Sequence, residues 1–282
     1  MWVGRQGRRQ TLSLWSVCST LGFSVMNDLQ RYFEDNRGRL IDKYTHYFDI
    51  YERYFSRFRN TEVHFVEIGI FQGGSLQMWK HYFGPKARIY GVDINPECKK
   101  FEEDQISVFI GDQSDKTFLR QLTQRIPRMD IVLDDGGHFM DQQIASFEVL
   151  YPALAVEGVY LCEDLHTSYQ KPYGGGFRGR GTFIEYSKYF IDYLHTHYSA
   201  ELQGPAIREF AAQTFGVHYY DSMIVLEKRA MKPPERRQTG IASFPMSQPS
   251  GWGEKLKARL PQLRNILKHK LGFRPYHRRS DV

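Results

Sequence analysis

Short apolar runs alternate with helical segments over most of the chain, and this alternation constrains the fold more than any other sequence feature. Five candidate strands cover residues 62–69, 88–93, 106–111, 129–134 and 158–163. Helical segments are predicted at 75–83, 115–125 and 141–153. Apolar strands joined by helices are typical of a parallel sheet with helices on both faces. A bundle or an all-β sandwich does not produce this pattern.

The sequence after residue 163 predicts how the sheet ends. An amphipathic helix is expected at 181–199, and two strands at 214–219 and 222–228 are joined tightly around Asp221. Such a connection favours an antiparallel hairpin at the sheet edge. We therefore predict an α/β fold, a Rossmann-like doubly wound, mostly parallel seven-stranded sheet with an antiparallel edge hairpin, a helical N-terminal extension and a basic C-terminal tail.

Composition divides the 282 residues into five segments. Residues 1–26 are interpreted as a disordered arm or a mis-assigned start, and residues 27–59 as a helical extension. The main domain is predicted at 60–229, followed by a linker at 230–252 and a basic amphipathic helix and tail at 253–282. Aromatic residues line one face of the second helix of the extension. We expect this face to pack against the domain, although tyrosines there could also line a ligand pocket.

Charge and cysteine content exclude several functional classes. The net charge is +6, but the basic residues are concentrated in the two ends and the central domain is acidic, so no nucleic-acid channel is expected in the core. The three cysteines have no paired spacing, which argues against a disulfide framework and a thiolate zinc site. No apolar run is long enough for a transmembrane span. We expect a cytoplasmic, homo-oligomeric protein whose basic tail contacts an anionic surface or a partner.

Glycines and acids follow three consecutive strands. The first strand ends in Glu67-Ile-Gly69, and Gly73 to Ser75 lead into a helix whose free N–H groups could face a ligand. The second strand ends in Asp93, which could accept both hydroxyls of a ribose, and the third in Asp112-Gln113, which could bind an adenine amino group. Open α/β sheets bind ligands at these carboxyl ends.

This combination resembles the class I S-adenosylmethionine-dependent methyltransferases. The E-x-G-x-x-x-G-G-S turn, the acid closing the second strand, the G-D of the third and the edge hairpin carry the resemblance, which covers residues 60–228. It implies an S-adenosylmethionine site formed by a set of strand-end residues: Glu67, Gly69, Gly73, Ser75, Asp93, Asp112, Gln113 and Asp134.

Three further carboxylates close the fourth and fifth strands. Asp135 lies in Leu-Asp-Asp-Gly-Gly-His, and Glu163 and Asp164 precede Leu-His-Thr-Ser-Tyr. Like charges placed together at one sheet edge are costly unless a cation offsets them, and oxygen-only ligands suit Mg²⁺. Singly, the aspartates could cap a helix and the Glu-Asp pair could lie in a solvated loop. Their combination beside a cofactor site favours metal binding.

These two motifs resemble the metal-dependent sugar O-methyltransferases of macrolide and tetracenomycin antibiotic pathways, and the related cephalosporin-pathway family. The resemblance implies that Asp135, Glu163 and Asp164 hold magnesium and that His138 is the general base. His166 is expected to line the pocket. The glycine-, aromatic- and arginine-rich residues 169–181 are interpreted as a substrate lid, with a flexible loop as the alternative.

The predicted function is an S-adenosylmethionine- and Mg²⁺-dependent O-methyltransferase acting on a hydroxyl of a small-molecule glycoside or a glycan. Two alternatives stay open. The same fold could act on another diol or in a hydroxylation–methylation pathway, or the chain could bind the cofactor without catalysis.

Overall fold

The structure of the protein is a computed structural model that describes residues 26–244. The chain divides into two compact units, Met1–Pro234 and Glu235–Val282. In the second unit only residues 235–244 are described, and they contain no helix or strand. The predicted N-terminal arm, apart from Met26, and the predicted helix at 253–282 lie outside the described residues.

One mostly parallel sheet forms the centre of the first unit. Its seven strands are β1 (His64–Ile68), β2 (Arg88–Asp93), β3 (Ile106–Ile110), β4 (Ile131–Asp134), β5 (Val159–Cys162), β6 (Thr214–Tyr220) and β7 (Met223–Lys228). The strand order is β3–β2–β1–β4–β5–β7–β6. Strands β1 to β5 are parallel, whereas β7 runs antiparallel to both β5 and β6. The predicted fold class is confirmed, with the hairpin at the sheet edge.

Helices cover both faces of this sheet. They are α1 (Asp28–Asp35), α2 (Tyr47–Phe55), α3 (Gly74–Phe83), α4 (Lys116–Arg125), α5 (Met140–Ala153), α6 (Phe183–Ser187), α7 (Tyr189–Leu194) and α8 (Pro205–Gln213). Helices α1 to α3 share one apolar cluster with the sheet, and α4 to α8 share the cluster on the other face. The aromatic face of α2 packs into the first cluster, where the ring of Phe55 lies 5.8 Å from that of Trp79. The N-terminal extension therefore contributes to the core.

The region after β5 differs from the sequence prediction. The single helix expected at 181–199 is divided into α6, α7 and a 3₁₀ turn, and α8 occupies a region to which no element was assigned. The first break follows from a long-range contact, since the Tyr219 hydroxyl donates to the backbone carbonyl of Ser187 at 2.9 Å. Local periodicity contains no information about such a contact. Within residues 26–244, no helix is both long and apolar enough to cross a membrane.

We expect a variant that ends at Pro234 to bind S-adenosylmethionine as tightly as the full chain. The boundary between the two compact units falls there, and every strand of the sheet precedes it. Isothermal titration calorimetry of both proteins with the cofactor checks this. An insoluble truncated protein, or one that binds no cofactor, would mean that residues 235–282 contribute to the fold of the first unit.

Candidate active site

A cavity of about 860 Å³ lies at the carboxyl ends of the parallel strands. The chain order reverses between β1 and β4, which are neighbours in the sheet, so this edge has the crevice in which open α/β sheets bind ligands. The cavity is lined by residues that follow each of the five parallel strands, among them Gly69, Asp93, Asp112, Asp135 and Asp164. Its volume suits a cofactor together with part of a second small molecule.

The turn after β1 requires glycine. Gly69 has a φ of +83°, and a Cβ at this position would lie 2.0 Å from the carbonyl oxygen of Asp135. The backbones that follow β1 and β4 therefore lie so close together that there is no room for a side chain at Gly69. Ser75 also lines the cavity, at the start of α3.

Asp93 both lines the cavity and braces this turn. Its Oδ2 accepts from the backbone N–H groups of Ile70 and Phe71, each at 3.1 Å, and its Oδ1 accepts from the N–H of Asn95 at 2.9 Å. Each carboxylate oxygen has two lone pairs, so Oδ1 retains acceptor capacity beside its bond to Asn95. The position is compatible with the predicted role towards a ribose.

We expect Asp93→Ala to weaken S-adenosylmethionine binding by about 1.5–3 kcal/mol, the usual contribution of hydrogen bonds to a charged group. Calorimetry on the purified variant measures the change. Glu97→Ala is a matched control, because it removes a carboxylate that lies close in sequence and does not line the cavity. If both variants bind S-adenosylmethionine as tightly as the wild type, Asp93 does not contribute to the cofactor site.

Two residues predicted for the cofactor, Gln113 and Asp134, form a buried polar pair at the cavity wall. Gln113 donates from Nε2 to Asp134 Oδ1 at 2.5 Å and accepts at Oε1 from the N–H of Gly137 at 3.2 Å. The Tyr160 hydroxyl donates to Asp134 Oδ2 at 3.2 Å. Burial raises the pKa of Asp134 to about 7. Gln113 lines the cavity and Asp134 does not, so Asp134 acts here by orienting the Gln113 amide.

Glu67 is also fully buried and does not line the cavity. Its carboxylate accepts from the Ser75 hydroxyl at 2.8 Å and from the Trp79 indole N–H at 3.0 Å, and burial raises its pKa to about 7. Gly73 does not line the cavity either. It is the N-cap residue of α3 and has a left-handed backbone conformation. Of the predicted cofactor residues, Gly69, Ser75, Asp93, Asp112 and Gln113 face the cavity.

Asp135, His138 and Asp164 converge at one point of the cavity. One ligand atom from each lies within 4.8 Å of the others. His138 Nε2 is 3.4 Å from Asp164 Oδ2 and 3.9 Å from Asp135 Oδ1. We call these three residues the ligand group.

Backbone conformation is unusual in this group. His138 and Asp164 have φ values of +59° and +55°, a left-handed region that costs non-glycine residues about 1–3 kcal/mol and that occurs often at functional sites. His138 Nδ1 is buried and has no hydrogen-bond partner among the described residues. Nε2 is the ring nitrogen that faces the two carboxylates.

Glu163 lies outside the ligand group and is held by two other side chains. Lys43 Nζ donates to Glu163 Oε2 at 3.1 Å and also bonds Asp135 Oδ2. The Tyr51 hydroxyl donates to Glu163 Oε1, and the Tyr47 hydroxyl donates to Asp164 Oδ1 at 2.7 Å. The extension therefore contributes three side chains that contact the acids at the strand ends.

The pKa values of Glu163 and Lys43 are both raised, for different physical reasons. Burial raises the pKa of Glu163 well above its usual range, and the neighbouring Asp135 carboxylate adds to the effect. Burial by itself would lower the pKa of Lys43, but the carboxylates of Asp135, Glu163 and Glu67 raise it well above its usual value. Lys43 therefore remains an ammonium that offsets part of the negative charge.

Lys43 belongs to none of the sites predicted from the sequence. A lysine between two helices belongs to no spacing pattern, and only the fold brings it to strand ends about 90 and 120 residues away. Tyr47 and Tyr51 belong to the aromatic stripe, for which packing and a pocket role were both left open. Packing is confirmed, because both rings are buried in the core, and Tyr47 also lines the cavity. The two hydroxyls bond Asp164 and Glu163, and a role towards a ligand stays a prediction.

The predicted lid segment lies beside the ligand group. Within residues 169–181, the Tyr173 ring is 6.5 Å from that of His138, while Phe177 is 80% exposed. His166 lines the cavity as expected and pairs through Nδ1 with the Ser222 hydroxyl at 2.6 Å. A closing role for residues 169–181 stays a prediction.

Comparison with known proteins finds sugar-modifying relatives. The chain is 40% identical over 190 residues to the 8-demethyl-8-(2-methoxy-alpha-L-rhamnosyl)-tetracenomycin-C 3'-O-methyltransferase of Streptomyces olivaceus, covering 64% of this chain and 48% of the relative. It is 35% identical over 188 residues to the demethylmacrocin O-methyltransferase of Streptomyces fradiae, covering 63% and 47%. The chain thus spans about half the length of these relatives. No family model matches the sequence.

A solved structure extends the similarity to three dimensions. The MycE methyltransferase from the mycinamycin biosynthetic pathway, in complex with Mg, SAH and mycinamycin VI, superposes with a TM-score of 0.64 at 27% identity. The match covers 83% of this chain and 58% of that one. Sequence identity and shared fold confirm the resemblance inferred from the motifs: this chain is a class I methyltransferase-fold relative of the macrolide and tetracenomycin sugar O-methyltransferases.

Proposed function

We propose that the protein is an S-adenosylmethionine- and Mg²⁺-dependent O-methyltransferase that methylates a hydroxyl of a sugar in a glycoside. The observation that carries the proposal is the convergence of Asp135, His138 and Asp164 in the same cavity as Asp93 and Asp112. A cofactor-binding protein without catalysis would have no use for a base and two carboxylates in that cavity. The relatives described above are named as O-methyltransferases, and the one from Streptomyces olivaceus is named for 3'-O-methylation of a rhamnosyl compound, which supports the same assignment.

The cofactor side of the cavity fits S-adenosylmethionine. Gly69 allows the backbone to approach a ligand, Asp93 offers acceptors for ribose hydroxyls, and Asp112 with Gln113 offers partners for an adenine edge. When bound, S-adenosylmethionine supplies an electrophilic methyl group on a positively charged sulfur. The several carboxylates that line the cavity favour a cationic ligand.

The acceptor side fits a divalent cation. Asp135 Oδ1 and Asp164 Oδ2 point to one position, and carboxylate oxygens are the ligands that Mg²⁺ prefers. Because only a few protein oxygens would bind the cation, coordination positions would stay open for substrate oxygens. Glu163, predicted as the third ligand, would have to exchange its bond with Lys43 to reach that position. When bound, the cation lowers the pKa of a coordinated hydroxyl, which is the Lewis-acid contribution.

His138 is the residue in place to accept the proton of the acceptor hydroxyl. Its Nε2 faces the two aspartates, so an oxygen bound between them would lie within reach of the ring. The left-handed backbone and the Tyr173 ring constrain the imidazole. The contribution of the chain is mainly orientation: it fixes the base, the two aspartates and the cofactor wall in one cavity.

A panel of acceptors tests the proposed substrate class. The purified protein, magnesium and S-adenosylmethionine with a labelled methyl group are incubated with glycosides, with the matching aglycones and with a catechol. We expect label only in the glycosides. Transfer to the catechol instead would favour the alternative of another diol, and no transfer to any acceptor would favour the non-catalytic alternative.

The proposal includes three predictions about cellular location, oligomeric state and binding partners. They are a cytoplasmic location, a homo-oligomeric state and contact of the basic tail with an anionic surface or a partner. The acidic central domain supports the expectation that nucleic acid is not the acceptor.

A further inference from the structure

Lys43 forms the centre of a buried charge cluster that contains two of the three acids predicted to hold the metal. Its ammonium bonds Asp135 Oδ2 and Glu163 Oε2 and lies 3.9 Å from Glu67 Oε1. The Lys43 side chain is 2% exposed, and that of Glu163 is 1% exposed. Among the described residues that line the cavity, Lys43 is the only lysine or arginine.

The Lys43 ammonium offsets the repulsion between the carboxylates at these strand ends. Buried carboxylates at neighbouring strand ends repel one another and lose hydration, so a positive charge has to be supplied from somewhere. Lys43 supplies it from the chain. Asp135 and Glu163 each direct one oxygen to the ammonium, whose positive charge opposes the approach of a divalent cation to the same carboxylates.

The lysine comes from a fixed stretch of backbone and carries a flexible side chain. The backbone oxygens of Arg39 and Leu40 approach Gly74 so closely that a Cβ there would lie 2.5 and 2.3 Å from them. The segment before α2 is therefore held against the start of α3. The four-carbon side chain of Lys43 can nevertheless rotate its ammonium away without moving this backbone.

We propose that Lys43 is a tethered competitor of the divalent cation: its ammonium neutralises Asp135 and Glu163 when the metal is absent and leaves them when the metal binds. The inference rests on the proposed metal-dependent function. It also gives a reason why Glu163 stands outside the ligand group in the structure. Departure of the ammonium would free Glu163 to join Asp135 and Asp164.

Divalent-cation binding to Lys43→Met tests the inference. The probe is Mn²⁺ alone, with free Mn²⁺ counted by electron paramagnetic resonance, and Mg²⁺ is measured by calorimetry. We expect the variant to bind both ions about tenfold more tightly or better, because removal of a positive charge a few ångströms from the site removes a repulsion. Lys80→Met is the matched control, since it removes a lysine from an ion pair with Glu103 outside the cavity.

Thermal unfolding provides a second readout in the same proteins. Without metal, Lys43→Met should melt at a lower temperature than the wild type because the buried acids lose their partner. Saturating Mg²⁺ should then raise its melting temperature by more than it raises that of the wild type, as linkage between binding and stability requires. Equal or weaker metal binding in a folded Lys43→Met protein would overturn the inference and make Lys43 a support of the ligands.

A measurement on the wild type covers the case in which the variant does not fold. Acetylation of lysines, followed by mass spectrometry, should modify Lys43 faster in the presence of saturating Mg²⁺ than in its absence, because the displaced ammonium enters the open cavity. An unchanged rate would contradict displacement. If the wild type binds no divalent cation at all and methylates without one, the proposed metal-dependent function itself fails, which is a separate outcome.

Discussion

Replacing His138 by alanine is expected to lower kcat by about 10²- to 10⁴-fold while leaving S-adenosylmethionine affinity nearly unchanged. A general base acts on the proton that leaves in the transition state and contributes little to ground-state binding. His138 is placed for this role because its Nε2 faces Asp135 and Asp164 while its ring lies on the acceptor side of the cavity. Steady-state kinetics and cofactor calorimetry on the same protein give both quantities.

A metal titration separates this role from an indirect one. If His138 only orients Asp135, the variant should bind magnesium weakly and regain its rate at high magnesium concentration. A rate that stays low at saturating magnesium supports the base, and a restored rate rejects it. His138→Asn should behave like the alanine variant, since asparagine tolerates the left-handed backbone at this position. His81→Ala, an exposed histidine on α3, is the control.

The second large effect is expected for Asp164→Asn, which should weaken Mg²⁺ binding by at least about 100-fold, the upper range for groups that only support metal ligands. The substitution keeps the shape of the side chain and an oxygen that can accept from Tyr47. Asparagine also suits the φ of +55° at this position. The loss should therefore reflect the missing charge on the oxygen that faces His138.

Asp141→Asn is the matched control for this variant. Asp141 is an exposed acid in the first turn of α5, outside the ligand group, so its replacement removes the same charge from the same unit. Calorimetric titration with Mg²⁺ compares the two. Equal metal affinity in Asp164→Asn, Asp141→Asn and the wild type would show that Asp164 is not a ligand.

Much of the fold could be predicted because its determinants are local. Each of the five parallel strands is an apolar run, and the loops that follow them contain the glycines and acids that reach the cavity. The break between α6 and α7 could not be predicted in the same way, since it depends on Tyr219, about 30 residues later in the chain. The spacing of apolar residues indicates which face of a segment can be buried. It does not indicate which distant side chain forms a hydrogen bond with the backbone of that segment.

In the site, too, the positions set by the strands could be predicted from the sequence, whereas the side-chain contacts could not. The positions of the predicted strand ends were enough to place four aspartates at one cavity, and the structure confirms this for Asp93, Asp112, Asp135 and Asp164. What each acid contacts depends on its neighbours: Glu67 bonds Ser75 and Trp79 and does not line the cavity, whereas Glu163 lines it and bonds Lys43 and Tyr51. These partners come from helices and from the extension, so a motif written along one strand could not contain them.

Methyl transfer to a glycoside, measured with and without a divalent cation, tests the central proposal most directly. The purified protein is treated with a chelator, and S-adenosylmethionine and a glycoside that is methylated in the acceptor panel are added with or without excess Mg²⁺. Tandem mass spectrometry then locates the new methyl group. We predict one methyl on a sugar hydroxyl, formed with Mg²⁺ and absent without it. Full transfer after chelation, or a methyl group on the aglycone, would contradict the proposed function.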